Sequence, residues 1–292
     1  MTTDVTITGI GCPIPSADAA GPGVLVRYRP SGEGEEVALQ FDAGRSTVMR
    51  LMGAGCPPSS LGGVFITHHH SDHLTGLQDL VLTRWVMDRR GLLDPLPIVC
   101  PEGPSTSFVE RMLDAWDHDL EVRRLHTGRT DDPALDINSF AYPPFPGGPT
   151  EVFAKGGVTV RAGQVRHEPV HAAVGFRVET PDGVVAITGD TLVCDEVATL
   201  AAGADIVVYE AMRFSAFDGL PAWRTFVLDY HADTTLIGAQ AAALDTPHLV
   251  LTHLIPPPTG EDDEQLFVDD VRAGGYTGDL TVARDLTTIT IG

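Results

Sequence analysis

The chain has 292 residues, 43% of them hydrophobic, enough to bury a sizeable core in one large domain or two modest ones. Its 40 acidic residues against 19 basic ones give a formal charge of −21, which repels a phosphate backbone and disfavours nucleic acid as a partner. No stretch approaches the roughly 18 to 20 apolar residues that span a bilayer, and the start MTTDVTITGI lacks a signal-peptide pattern; Cys12, Cys56, Cys100 and Cys194 are too scattered for a disulfide framework, so a cytoplasmic protein with reduced thiols is expected.

In chain order, the β-like runs VTITGI, VLVRYRP and EVALQFD alternate with glycine and proline turns, and STVMRLMGAG then reads as helix. The apolar run GVFIT reads as a strand that hands over through THHHSDHLTG to the helical stretch LTGLQDLVLTRWVMDRR. Residues 130–150, rich in proline, glycine and aromatics, suggest a long surface excursion, and a second is expected near 213–230. The second half repeats the strand-rich pattern in GVTVRAGQV, AVGFRVET, GVVAITGD and DIVVYEA, with TLVCDEVATLAAG as a helix before the last. A helix TTLIGAQAAAL, a strand HLVLTHL, an acidic helix EDDEQLFVDDVRAGG and the β runs LTVA and TTITIG complete the chain. Strands and helices intermingle, so the class is α/β or α+β, and a single domain over residues 1–292 is expected.

His68, His69, His70, Asp72 and His73 crowd into six positions. Alternation at a strand end lets His68 and His70 point the same way, while Asp72 and His73, entering a helix, reach a second position beside the first. Imidazole and carboxylate without thiolate suit Zn²⁺, Mn²⁺ or Fe²⁺ in a catalytic rather than a purely structural site. A solvated histidine turn is the bland alternative, and HxHxDH straight after an apolar strand outweighs it.

This THxHxDH segment resembles the metallo-β-lactamase superfamily. GIGCPIPSADAAGPGVLV and FDAGRSTVMRLMGAG are similar to its ribonuclease Z and arylsulfatase-like branch, and VRHEPVHAAVGFRVET, AITGDT and LVLTHL resemble that branch's remaining ligand segments. The resemblance implies a four-layer αββα sandwich, two mixed sheets with outer helices and a site along one edge. It further implies two divalent metal ions, zinc first with manganese or iron as alternatives, and no organic cofactor. One ion would take His68, His70 and His167, the other Asp72, His73 and His253, with Asp190 bridging; His171, four residues after His167, stays open as the alternative to it. By the same resemblance Asp72 would also act catalytically, orienting the attacking water, and His231 in DYHADTTLIGAQAA would stabilise or protonate the departing oxygen. Tyr209-Glu210-Ala211-Met212 stands where the branch often has HEAT, which puts that histidine's role in doubt.

Such a site predicts a binuclear metal-dependent hydrolase using a metal-bridging hydroxide. The tRNA-processing members of the branch carry a long arm between the third histidine and the bridging aspartate, whereas His167 and Asp190 are 23 residues apart. That shortness and the acidic charge lead to the expectation of a small-molecule ester-type substrate: a phosphodiester, sulfate ester, carboxylic ester or lactone. Phe140, Tyr142, Phe145, Phe214, Phe217, Trp223 and Phe226 would wall its pocket for an aromatic ring. The alternatives are a ribonuclease Z-like RNA 3′-processing endonuclease and a non-hydrolytic metal-binding protein of the same fold. No membrane partner is expected, and a homodimer is left open.

Overall fold

Apolar runs in the two halves of the chain build two sheets. The structure, a computed structural model, describes all residues except Glu33, Pro144 and Gly292. Pro144 falls within the expected excursion at 130–150 and lies outside the described residues. The first half supplies β1 (Thr2–Gly9), β2 (Gly23–Arg29), β3 (Val37–Phe41), β4 (Gly63–Phe65), β5 (Leu96–Pro101) and β6 (Leu135–Phe140). The second supplies β7 (Thr150–Lys155), β8 (Val158–Gln164), β9 (Val174–Thr180), β10 (Gly183–Ile187), β11 (Ile206–Met212), β12 (His248–Ile255), β13 (Asp279–Val282) and β14 (Thr288–Ile291). Among the described residues the strand orders are β14-β1-β2-β3-β4-β5-β6 and β13-β12-β11-β10-β9-β8-β7.

The strands β3 and β11 are buried along their whole length, which is why VALQF and IVVYEAM read as nearly unbroken apolar runs instead of alternating ones. Between the sheets lie Val5, Ile7, Val26, Leu39, Val178, Val208 and a knot of rings. There Phe41 stacks on Phe65 at 4.7 Å, and Phe176 closes on both at 5.5 and 5.6 Å. Each such ring contributes about 1.5–3 kcal/mol by leaving water. Helices α1 (Thr47–Gly53), α3 (Leu77–Met87) and α4 (Pro104–Arg111) cover the outer face of the first sheet through Leu51, Leu77, Leu80 and Val109. Helices α6 (Asp195–Ala201), α8 (Thr234–Ala243) and α9 (Glu261–Ala273) cover the second through Val197, Leu200, Ile237, Phe267 and Val271. The result is the αββα order of layers.

Both sheets change character at one strand. In the first, β1 to β3 pair antiparallel and β3 to β6 parallel. In the second, β7 to β10 pair antiparallel and β10 to β13 parallel. Loops leaving the carboxyl ends of strands at such a switch point open a crevice that the sheet itself does not fill. Part of the expected excursion at 130–150 is instead β6, an edge strand pairing parallel with β5. Helix α2 (Ser71–Leu74) lies in a loop at the crevice, α7 (Ala222–Thr225) lies in the loop between β11 and α8, and α5 (Asp117–Thr127) is peripheral. Among the described residues no helix is long and apolar enough to cross a membrane.

Candidate metal centre

Strand β4 stops at Phe65, earlier than GVFIT suggests, so His68 and His70 do not share a face through strand pleating. His70 is extended (φ −63°, ψ 144°) and caps α2, whose first turn carries Asp72 and His73 inward. This turn sits hard against the loop after β3. A Cβ on Gly44 would lie 2.5 Å from the Asp72 carbonyl oxygen, and one on Gly76 would strike the Gly44 carbonyl. Glycine is needed at both places for backbone to meet backbone.

One carboxylate organises the turn. Asp42, buried and at φ 54°, accepts from the Thr67 N–H at 2.9 Å, the Thr67 hydroxyl at 2.8 Å and His73 Nδ1 at 2.7 Å. Because the Thr67 hydroxyl donates to Asp42, it accepts from His68 Nδ1 at 3.0 Å. Both rings thereby keep a proton on Nδ1 and turn Nε2 toward the crevice, the nitrogen that a metal ion would take.

The second sheet delivers its residues singly. His167 follows β8, and its Nδ1 donates to the Tyr230 carbonyl at 2.9 Å. Asp190 follows β10 after Gly189, whose φ of 63° and close approach to Thr67 admit no side chain. His253 lies within β12 at a bulge: Glu210 pairs with Thr252 and Ala211 with Leu254, leaving His253 unpaired at φ 46°. A bulge re-aims a side chain, and the left-handed strain at a histidine is the kind of cost tolerated at functional positions.

These residues converge. One potential ligand atom from each of His68, His70, His167 and Asp190 lies within 4.8 Å of the others, Asp72, His73 and His253 form a second such group, and Asp190, His231 and His253 a third. Asp190 Oδ2 sits between them, 3.4 Å from His73 Nε2 and His253 Nε2, 3.8 Å from His68 Nε2 and 3.9 Å from His167 Nε2. His68 Nε2 and His73 Nε2 are buried without a hydrogen-bond partner among the described residues. Unpaired buried nitrogens around a carboxylate oxygen are costly unless something positive sits among them, and the donor set of imidazole and carboxylate suits divalent ions.

The proton affinities tell the same story. Burial, with His73, His167 and His70 alongside, pushes His68 well below the usual imidazole range, and burial with His167 takes His70 down to about 4. Burial would lower His73 too, yet Asp190 and Asp42 hold it well above its usual value. Burial would raise Asp190, but His253 and His73 hold its carboxyl well below the usual range. A proton retained beside two carboxylates marks where the cradle demands positive charge.

His231 lies at the rim, its ring 5.3 Å from that of His167 and 5.6 Å from that of His253. Glu210 Oε1 accepts from His231 Nδ1 at 2.9 Å, Thr191 N at 3.0 Å and Ala232 N at 3.2 Å. Burial would lower His231, but Glu210 overrides it and raises it to about 9. Glu210 therefore fixes His231. Tyr209 points the other way, into the core under α8, with its hydroxyl donating to Gln240 Oε1 at 3.0 Å. Asp42 was not singled out from sequence; the available signal was an aspartate closing a buried strand in QFDAG.

His171 is exposed and stands in none of these groups. The seven aromatics expected to wall a pocket scatter: Phe140 packs toward the core at 6.5 Å from Phe176, while Trp223 is 75% and Phe226 55% exposed.

Residues 41–254 match the model of the Beta-lactamase superfamily domain. A ribonuclease Z of Mycobacterium bovis is 33% identical over 285 residues, covering 97% of this chain and 96% of its own. One from Mycolicibacterium gilvum is 34% identical over 264 residues, covering 89% and 87%. Among solved structures, human tRNase Z, short form, superposes with a TM-score of 0.68 at 22% identity over 99% of both chains.

These relatives overturn the expectation of a small-molecule substrate with nucleic acid disfavoured. Net charge sums over the whole surface and sets long-range attraction; it does not describe a crevice that divalent ions make locally positive. The missing arm also fails to discriminate, because a ribonuclease Z matched over 96% of its length leaves little room for a large insert that this chain lacks. The chain belongs to the beta-lactamase superfamily, as a metal-dependent hydrolase related along nearly its whole length to ribonuclease Z proteins.

Proposed function

We propose that the protein is an endoribonuclease of the ribonuclease Z type, cutting RNA phosphodiesters near a 3′ end. The observation that carries this reading is the likeness to ribonuclease Z over 97% of the chain, in which every expected ligand type is present. His68, His70 and His167 would hold one ion and Asp72, His73 and His253 the other, with Asp190 shared. The nitrogen and oxygen donors favour zinc, then manganese or iron. Two adjacent divalent ions supply Lewis acidity at a phosphoryl oxygen and water ionised near neutral pH.

The chain's own groups would do the rest. Asp72, its Oδ2 3.4 Å from His253 Nε2, faces the cleft and would accept a hydrogen bond from the attacking water, orienting its lone pair. Glu210 holds the Nδ1 proton of His231, so Nε2 is the nitrogen left to deliver a proton to the departing ribose oxygen. We also propose one hydrolase domain over residues 1–292, with surface excursions near 213–230 and, around the edge strand β6, near 130–150, working in the cytoplasm, where its four free cysteines stay reduced.

The test is incubation of the zinc-loaded chain with tRNA precursors carrying a 3′ extension and with unrelated RNA hairpins. A discrete internal cut, abolished by chelation and restored by zinc, is expected. Intact RNA across that panel, with small aryl esters turned over by the same sample, would overturn the proposal.

A further inference from the structure

The segment between β11 and α8 leaves large rings in water beside the crevice. Trp223 on α7 is 75% exposed and Phe226, just after it, 55%. The Phe226 ring lies 6.2 Å from that of Tyr230, which in turn lies 5.2 Å from the His167 ring and 4.8 Å from that of His231. The Tyr230 carbonyl also anchors His167. Aromatic surface thus runs from solvent to the imidazoles at the centre of the site.

Cations that could meet phosphates near this path are mostly committed. Arg166, preceding His167, pairs with Glu196 at 2.7 Å, and Arg213, just past β11, pairs with Asp270 at 2.8 Å. Arg45 donates to the Cys12 carbonyl at 2.8 Å. Arg224 lies 5.8 Å over the Trp223 ring, where it widens the flat surface. With these cations committed elsewhere, the surface beside the crevice must grip a polyanion in another way.

We infer that Trp223, Phe226 and Tyr230 form a stacking platform for unpaired RNA bases next to the cleaved phosphate, so that the substrate is held by base faces more than by phosphate contacts. The inference rests on the RNA reading above. Unpaired bases stack on aromatic side chains regardless of sequence, and loss of one such ring weakens binding by about 5- to 150-fold. Few phosphate contacts also mean weak salt dependence. With one contact KM rises about threefold between 50 and 200 mM salt, against about 300-fold for six.

The experiment uses the zinc-loaded full chain and an RNA hairpin with a single-stranded 3′ tail, in which bases flanking the cut are replaced one at a time by abasic sites. Trp223→Ala and Phe226→Ala are expected to raise KM by at least fivefold with metal content and kcat little changed, and Phe226→Trp to restore it. An abasic site at the stacked position should raise KM in the wild type and add little further in the alanine variant. Unchanged KM in both alanine variants would overturn the platform, as would a dimer falling to monomers with KM intact, which would make this face an interface between copies. A salt response above about 100-fold would overturn it too. Failure of the wild type to cut any RNA would instead remove the RNA reading itself, and the platform with it.

Discussion

Asp42 and Glu210 hold matching stations in the two halves of the molecule. Each lies at the carboxyl-end side of a fully buried strand, each is buried, and each accepts three hydrogen bonds. They differ in what they hold. Asp42 fixes His73 directly and His68 through Thr67, both proposed metal ligands, while Glu210 fixes His231, which stands outside the proposed ligand set. On the proposed reading the first sheet's acid governs cation binding and the second sheet's acid governs proton delivery. A division of this kind explains how one crevice can use two buried carboxylates that ligate nothing: each sets a tautomer, and the hydrogen bond it takes decides which ring nitrogen faces the reaction.

The seam between the halves should break first. Asp190 Oδ2 is within 3.4–3.9 Å of imidazole nitrogens from both groups, so Asp190→Asn removes the one negative charge they share. RNA cleavage is expected to fall below detection, and elemental analysis should find less than about half the wild-type metal. Retention of full metal with turnover within tenfold would mean that the two groups are held independently.

Glu210→Gln sharpens the contrast next. Loss of the carboxylate should cost about 10²- to 10⁴-fold in kcat while leaving metal content unchanged. Asp42→Asn should do the reverse, weakening metal affinity about 10- to 100-fold with kcat near normal once metal is saturating. Competition with a chelator of known affinity measures the second effect and single-turnover cleavage the first. Equal metal loss in both variants would dissolve the division of labour.

The sequence is legible where burial imposes a period. β1 to β4, β8 to β14 and the helices α1, α3, α6, α8 and α9 coincide with runs whose apolar spacing marks them. It is not legible between Arg90 and Lys155, where β5 has proline at both Pro97 and Pro101, and β6, LDINSF, is an exposed edge strand whose only warrant is its pairing with β5. Within the site, the crowding of His68 to His73 is visible to anyone counting imidazoles. The convergence of His167, Asp190 and His253 is legible only through the family resemblance of their segments and not from local pattern, because it depends on which strand ends the sheet order places side by side. Nor does any local signal in LTHLIP announce that His253 is the bulged residue of its strand.

The smallest effect tests the second sheet's most ambiguous residue. His167 and His171 stand four residues apart, and a turn closed by Val170 N–H to the His167 carbonyl at 2.9 Å separates their directions. His167 is turned inward by the Tyr230 carbonyl and is 1% exposed, whereas His171 faces solvent on the far side of that turn. A solvent-facing side chain with no packing to lose changes stability by no more than about 0.5 kcal/mol on substitution. His171→Ala should therefore keep metal content, KM and kcat within about twofold, while His167→Ala should weaken metal binding markedly, because only His68, His70 and the shared Asp190 remain in the first group. Should His171→Ala empty the site instead, the loop after β8 must be able to turn over and present the other ring. The second sheet would then differ from the first in being adjustable, with one ligand position served by either of two imidazoles.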